Sequence, residues 1–185
     1  MQIRNEIKIL APREQVFQAL LDVETLKKSI PGCENLEELE NQKYTATILS
    51  KVGPLKIRFK GEAQLLEVLE PERYTIAGEG TGGAAGRAKV RAHVTLEELN
   101  ESTLLKYDVN AEVGGKLAQL GGSLIKNTAE KLAMQFFQTF NDEVIGSNSL
   151  PTPSTPPPTR SDRNSYKLLI IGSLLLLTIA VFLLL

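Results

Sequence analysis

The chain has 185 residues, with 21 Lys and Arg against 22 Asp and Glu and 42% apolar residues, a size that suits one domain plus additional segments. A formal net charge of −1 excludes a basic nucleic-acid binder. A single cysteine, Cys33, and a single histidine, His93, exclude a disulfide framework, argue against a zinc site and point to a reducing compartment.

In chain order, Ile3, Ile7 and Ile9 alternate with Arg4, Glu6 and Lys8, the pattern of a half-buried first strand. Pro12 opens a helical stretch with Val16, Phe17, Leu20 and Leu21 on one side, which Pro31-Gly32 stops, so one or two short helices fit. Strands are expected at 33–40, 43–52, 56–69, 73–80, 86–99 and 102–113, with Asn100 in a turn. Within 88–96, Ala88, Val90, Ala92, Val94 and Leu96 share the core face, and Lys89, Arg91, His93 and Thr95 the solvent face. From Lys116 to Glu143 the period becomes helical, through Leu117, Leu120, Leu124, Ile125, Thr128, Leu132, Phe136 and Phe140. This order predicts an α+β fold: a curved antiparallel sheet gripping a long C-terminal helix, over residues 1–145.

Residues 146–166 centre on LPTPSTPPPT and carry too few apolar groups to fold, so a Pro-rich disordered linker reaching at most ~65 Å is expected. Leu168–Leu185 contains no charge and is apolar on every face of a helix. Its Leu, Ile, Val and Phe residues sum to roughly 4–8 kcal/mol in favour of insertion. Residues 167–185 are therefore expected to be a transmembrane tail anchor. Arg160, Arg163 and Lys167 just before it place the domain on the cytoplasmic side of the cell membrane. The first residues, MQIRNEIKIL, lack the apolar core of a signal peptide.

Many inward positions of the expected strands are small: Ala46, Gly61, Ala63, Gly78, Gly80, Ala88, Ala92 and Ala111. With Ile57, Phe59, Leu65, Ile76, Val90 and the helix stripe they outline either an apolar pocket or a surface that lets the helix pack close. The AGEGTGGAAG segment reads as a tight turn or a flexible lid. It lacks the Lys-Ser/Thr of a phosphate loop. His93 falls on the outward face, Cys33 has no evident partner, and the acidic runs 37–40 and 97–101 read as solvated faces, so no catalytic or metal-binding constellation emerges.

Pro31-Gly32-Cys33-Glu34, the run Gly114-Gly115-Lys116-Leu117-Ala118-Gln119-Leu120-Gly121, and Phe136-Phe137 followed by Phe140 resemble the carbon monoxide dehydrogenase G-subunit family of the START-like (SRPBCC) superfamily. Where family members commonly continue with Ser-Arg, this chain has Gly122-Ser123. The resemblance implies a helix-grip domain with a deep apolar cavity beside a molybdenum-containing carbon monoxide dehydrogenase or related hydroxylase. In that reading the cavity carries a respiratory quinone, menaquinone or ubiquinone, to and from the lipid bilayer. Phe17, Leu20, Leu26, Phe59, Ala63, Ile76, Ala88, Val90, Ala92, Leu120, Leu124, Thr128 and Phe136 line or gate it, with Gly82–Gly86 as a flexible entrance. Two rival readings are a ligand-free adaptor that recruits the dehydrogenase to the membrane, and an enzyme like the polyketide cyclases of the superfamily. The second needs interior acid–base groups, for which Thr128 is the one candidate. No catalytic residue, covalent cofactor or bound metal is expected.

Overall fold

Strict alternation of apolar and polar residues leaves each strand one face to bury, and the computed structural model, which describes residues 1–146, shows how that burial is achieved. β1 (Gln2–Ile9) leads into two short helices, α1 (Arg13–Ala19) and α2 (Val23–Ser29). Six strands follow: β2 (Cys33–Leu39), β3 (Lys43–Val52), β4 (Leu55–Leu69), β5 (Arg73–Thr81), β6 (Arg87–Leu99) and β7 (Ser102–Gly114). A long helix, α3 (Gly122–Gly146), closes the described part. Strand 86–99 and its neighbours thus fall within a residue or two of the positions read from the sequence.

Local chemistry sets the element ends. The Asp22 carboxylate caps α2, accepting hydrogen bonds from the Thr25 amide and hydroxyl at 2.7 and 2.6 Å. Asn100 turns β6 into β7 with a positive φ of 55°. The last helix, expected from Lys116, begins instead at Gly122. Gly121, at φ +88°, sits outside the right-handed helical region, and only a short 3-10 turn forms over Ala118–Leu120.

All seven strands form one antiparallel sheet in the order β1-β7-β6-β5-β4-β3-β2. The hairpin meander from β2 to β7 alternates its turns between two ends. Gly53-Pro54, the segment Thr81–Gly86 and the link from Gly114 to Gly121 lie at one end, the glycine end. The turns near 40–42, 70–72 and 100–101 and the β1–α1 link lie at the other.

α3 covers the concave face with Ile125, Ala129, Ala133, Phe136, Phe137, Phe140 and Val144 buried. This stripe is rotated from the expected one: Leu124 points outward at 37% exposure, because Ala129 and Ala133, not the bulkier residues beside them, take the inward side. Phe137 stacks on Tyr107 of β7 at 5.7 Å, and Phe136 meets Phe137 and Phe140 at 5.0 and 5.5 Å. These rings fill the interior beside α1, where Phe17 meets Tyr74 edge-on at 6.0 Å.

The glycine segment, read as a tight turn or a flexible lid, forms a hydrogen-bonded turn. The Gly82 amide donates to the Gly86 carbonyl within the turn, and the Leu117 amide donates to the Ala85 carbonyl, each at 2.9 Å. A Cβ on Gly86 would lie 2.0 Å from the Gly114 carbonyl oxygen, whereas one on Gly83 meets nothing within 4 Å. Gly86→Ala is therefore expected to destabilise the domain by ~3 kcal/mol or more, and Gly83→Ala, which suffers only its positive φ, by about 1 kcal/mol in urea unfolding.

Candidate functional site

The cross-strand register decides what the interior can hold. Ala46 pairs with Gly61, Gly61 with Gly80, and Gly80 with Ala88. In the adjacent inward row Ala63 pairs with Gly78, Gly78 with Val90, and Val90 with Ala111. From β4 to β7 no side chain larger than valine projects from either row; on β3 the second row ends at the fully buried Tyr44, which pairs with Ala63. The N-terminal half of α3 lies at the same end, since a Cβ on Gly53 would come within 2.8 Å of Leu124 Cδ2. That half contributes Ala129 and Ala133 to the buried side. Small residues thus line much of both walls towards the glycine end, with Ile57, Phe59 and Ile125 as the large exceptions, and the aromatic rings of α3 fill the other.

Three groups close the glycine end. Gly82 lies on Ile57 and Phe59, close enough that a Cβ would stand 2.6 Å from Ile57 Cγ2. Leu117 is fully buried, and Leu124 lies over Gly53.

Of the residues expected to line or gate a cavity, Phe17, Leu20, Leu26, Phe59, Ala63, Ile76, Ala88, Val90, Ala92 and Phe136 are all buried in one continuous core cluster. Leu120 is half-buried and packs on its edge. Leu124 lies at the rim over Gly53, the position of a residue that gates rather than lines. Thr128 follows one turn later on the same helix. It is half-buried, and its hydroxyl donates to the Leu124 carbonyl at 2.8 Å, so the helix backbone occupies the one polar group that acid–base chemistry inside would have used. The small pair Ala129 and Ala133 and the plug Leu117 escaped the sequence reading. Their signal was an i, i+4 alanine spacing on the long helix, masked by larger apolar neighbours.

Two solvent-open concavities are walled by charged side chains of the other face of the sheet, with Ala63, Gly78, Val90 and Ala111 of the inward rows also bordering one, and Ala46, Gly61, Gly80 and Ala88 the other. One, about 740 Å³, spans rows containing Lys43, Glu62, Glu79, Lys89 and Arg91, and a neighbour of about 610 Å³ shares Glu62, Glu79 and Lys89 with it. Alternating charges make them poor hosts for an apolar molecule. His93 is on this outer face as expected, but it is partnered: its Nδ1 lies 2.9 Å from the oxygen of the Thr75 hydroxyl, whose proton is donated to Glu67 at 2.7 Å. That bond and the nearby Arg91, His93 and Arg73 side chains hold the Glu67 carboxyl below the usual carboxylate range. Cys33 is half-buried, and burial pushes its thiol up despite Lys27 nearby, the opposite of what a nucleophile needs. No group of three metal-ligating side chains occurs among the described residues.

The sequence pattern of the carbon monoxide dehydrogenase G-subunit (CoxG) family matches residues 6–145. No curated protein sequence matches the chain. Among solved structures, a conserved protein from Geobacillus kaustophilus is 28% identical, with a TM-score of 0.76 over 80% of this chain and 97% of its own. A START superfamily protein from Mycobacterium smegmatis shares the fold at 14% identity, with a TM-score of 0.62 over 79% of this chain and 98% of its own. A protein from Thermus thermophilus does so at 18% identity and a TM-score of 0.62, covering 80% of this chain and all (100%) of its own.

If the alanine and glycine rows border open space, a larger side chain there is tolerated. Ala88→Leu should cost under about 1 kcal/mol, while Ala92→Leu, between Ile76 and Val109, should cost about 1–3 kcal/mol through overpacking. Equal costs in chemical unfolding would mean that both rows are close-packed.

Proposed function

Since the chain belongs to the carbon monoxide dehydrogenase G-subunit (CoxG) family, we propose that its START-like domain is a binding module, without catalytic chemistry of its own, that carries an apolar ligand for a carbon monoxide dehydrogenase or related molybdenum hydroxylase. The observation that carries this reading is the pair of Gly/Ala rows facing the side of α3 that bears Ala129 and Ala133. An interior built for tight packing would place branched or aromatic side chains at several of those positions, as the same sheet does around Tyr107 and Phe137.

A respiratory quinone is the ligand that best suits such an enzyme, whose electrons must reach an acceptor dissolved in the bilayer. Moving one isoprene unit from lipid to water costs roughly 3–4 kcal/mol at about 0.8 kcal/mol per methylene-sized group, so a quinone with several units needs a carrier to leave the membrane. Inside the domain the isoprenoid chain would lie along Ala63, Ala88 and Val90, with Phe59 and Phe136 as further walls. Entry requires movement of the plug formed by Gly82, Leu117 and Leu124, which makes opening the step that gates exchange. At the enzyme the quinone takes up two electrons and two protons and returns as the quinol.

The reading includes membrane tethering through 167–185, a segment outside the described residues. Among the described residues no helix is long and apolar enough to cross a membrane. A tether raises the effective concentration of the domain at its lipid source without any added contact. The reading also places the domain on the cytoplasmic side, from the positive residues ahead of the apolar run. A ligand-free adaptor is the second reading, favoured by one observation: Leu26, Ile76 and Ala92 are fully sealed at 0% exposure.

Native mass spectrometry and solvent extraction of the full chain, purified from quinone-rich membranes, should find about one quinone per protein; an empty protein after incubation with quinone-loaded vesicles favours the adaptor. Ala88→Phe should abolish retention in a protein that still unfolds cooperatively. Truncation after Gly146 should move the protein from the membrane to the soluble fraction, and membrane retention of that variant would assign lipid binding to the domain itself.

A further inference from the structure

The end of the domain opposite the glycine end has an exposed surface unlike the rest. The β1–α1 link, the β4–β5 turn and the β6–β7 turn present Leu10, Leu69 and Leu99 at 56, 45 and 43% exposure. Glu70, Glu72, Glu98 and Glu101 flank them. These pieces form one surface. Gln18 of α1 donates to Glu70 at 2.8 Å, the Leu96 amide donates to the Glu72 carbonyl at 2.7 Å, and Arg13 lies 3.8 Å from Glu98. The cations present, Lys8, Arg13, Arg73 and Lys106, are outnumbered by Glu70, Glu72, Glu97, Glu98 and Glu101, and Lys106 is engaged with Glu97 at 2.6 Å.

α3 delivers the chain to this same surface. The Leu10 amide donates to Asn141 Oδ1 at 3.1 Å and Gln15 donates to the Val144 carbonyl at 3.1 Å, so residues 147–185 depart from beside Leu10. That segment carries Arg160, Arg163 and Lys167 against Asp162, followed by the apolar run 168–185. A tether from Gly146 to Arg160 spans at most ~43 Å, enough to return to the surface it leaves.

We infer that the basic stretch Arg160–Lys167 of the chain's own tail docks on this acidic, leucine-bearing end of the domain. Charge complementarity joins two parts of one chain that the fold brings together. Exposed ion pairs are individually weak, and tethering supplies the effective concentration that populates the docked state. An acidic surface disfavours contact with anionic lipid and with a second copy of itself, and the tail residues neutralise it. Docking holds the glycine end, with its plug of Gly82, Leu117 and Leu124, pointing away from the anchored end. Under the carrier reading, the docked arrangement presents the interior to a soluble enzyme and undocking lets it reach the bilayer. The docking itself does not depend on what the interior carries.

Zero-length carbodiimide cross-linking of the full chain in detergent, followed by peptide mass spectrometry, tests this directly. Lys28–Glu143 at 2.9 Å and Lys106–Glu97 at 2.6 Å serve as internal controls. Lys167 should join Glu70, Glu72, Glu98 or Glu101 within one chain, with the yield falling at least about fivefold in R160E/R163E, and likewise in high salt, while both controls persist in that variant. Links from Lys167 only to Glu62, Glu79 or Glu112 on the outer face, links only between isotopically distinct copies, or no link while both controls form, would each overturn the docking. Loss of quinone binding would leave this result untouched, and the reverse holds equally.

Discussion

Everything distinctive about this domain depends on strand register. In an antiparallel meander each inward residue has a fixed cross-strand neighbour, and a slip of one residue would turn the entire core face to solvent. Here the register from β3 to β7 lines up Ala46, Gly61, Gly80 and Ala88 in one row and Ala63, Gly78, Val90 and Ala111 in the next. Glycine weakens a strand interior by loss of entropy and packing, so a fold that gathers so many small residues on its concave face gives up stability for shape. The aromatic residues Phe136, Phe137, Phe140 and Tyr107 at the other end restore part of what the small rows lose.

Much of the fold was legible because period-two alternation and Gly/Pro punctuation act locally. Gly53-Pro54, Pro71 and Asn100 mark turns whose chemistry does not depend on the tertiary context. The small inward residues were legible for the same reason: alternation alone assigns Ala88, Val90 and Ala92 to the face away from Lys89, Arg91 and His93. What failed was the rotation of α3. Leu124 and Thr128 fit a helical stripe as well as Ala129 and Ala133 do, and only packing against β1, β3 and α2 decides which side turns inward. The start of that helix was likewise misplaced, since a sequence pattern does not show that Gly121 takes a positive φ. The glycine loop, read as a tight turn or a flexible lid, forms a tight turn. Its composition suggests freedom, yet the close approach of Gly86 to Gly114 uses the missing Cβ atoms to bring two backbones together.

The two ends of the curved sheet divide the labour. One end is lined with small residues and plugged by Gly82, Leu117 and Leu124, and the other is acidic, studded with exposed leucines, and gives rise to the tail. A carrier needs both: an interior that opens away from its attachment, and an attachment that governs where that interior points. The outer-face concavities, walled by alternating Lys and Glu, lie outside this arrangement, and the Glu67–Thr75–His93 hydrogen-bonded set on that face has the geometry of a structural clasp over the bulge in β4.

The most direct test of the carrier function is alanine-methyl NMR of the full chain during titration with a short-chain quinone. Chemical-shift changes are expected to concentrate at Ala46, Ala63, Ala88, Ala111, Ala129 and Ala133, with Ala77 on the outer face unaffected. Changes confined to Ala77 and other outer-face positions, or none at saturating ligand, would contradict a quinone-carrying interior.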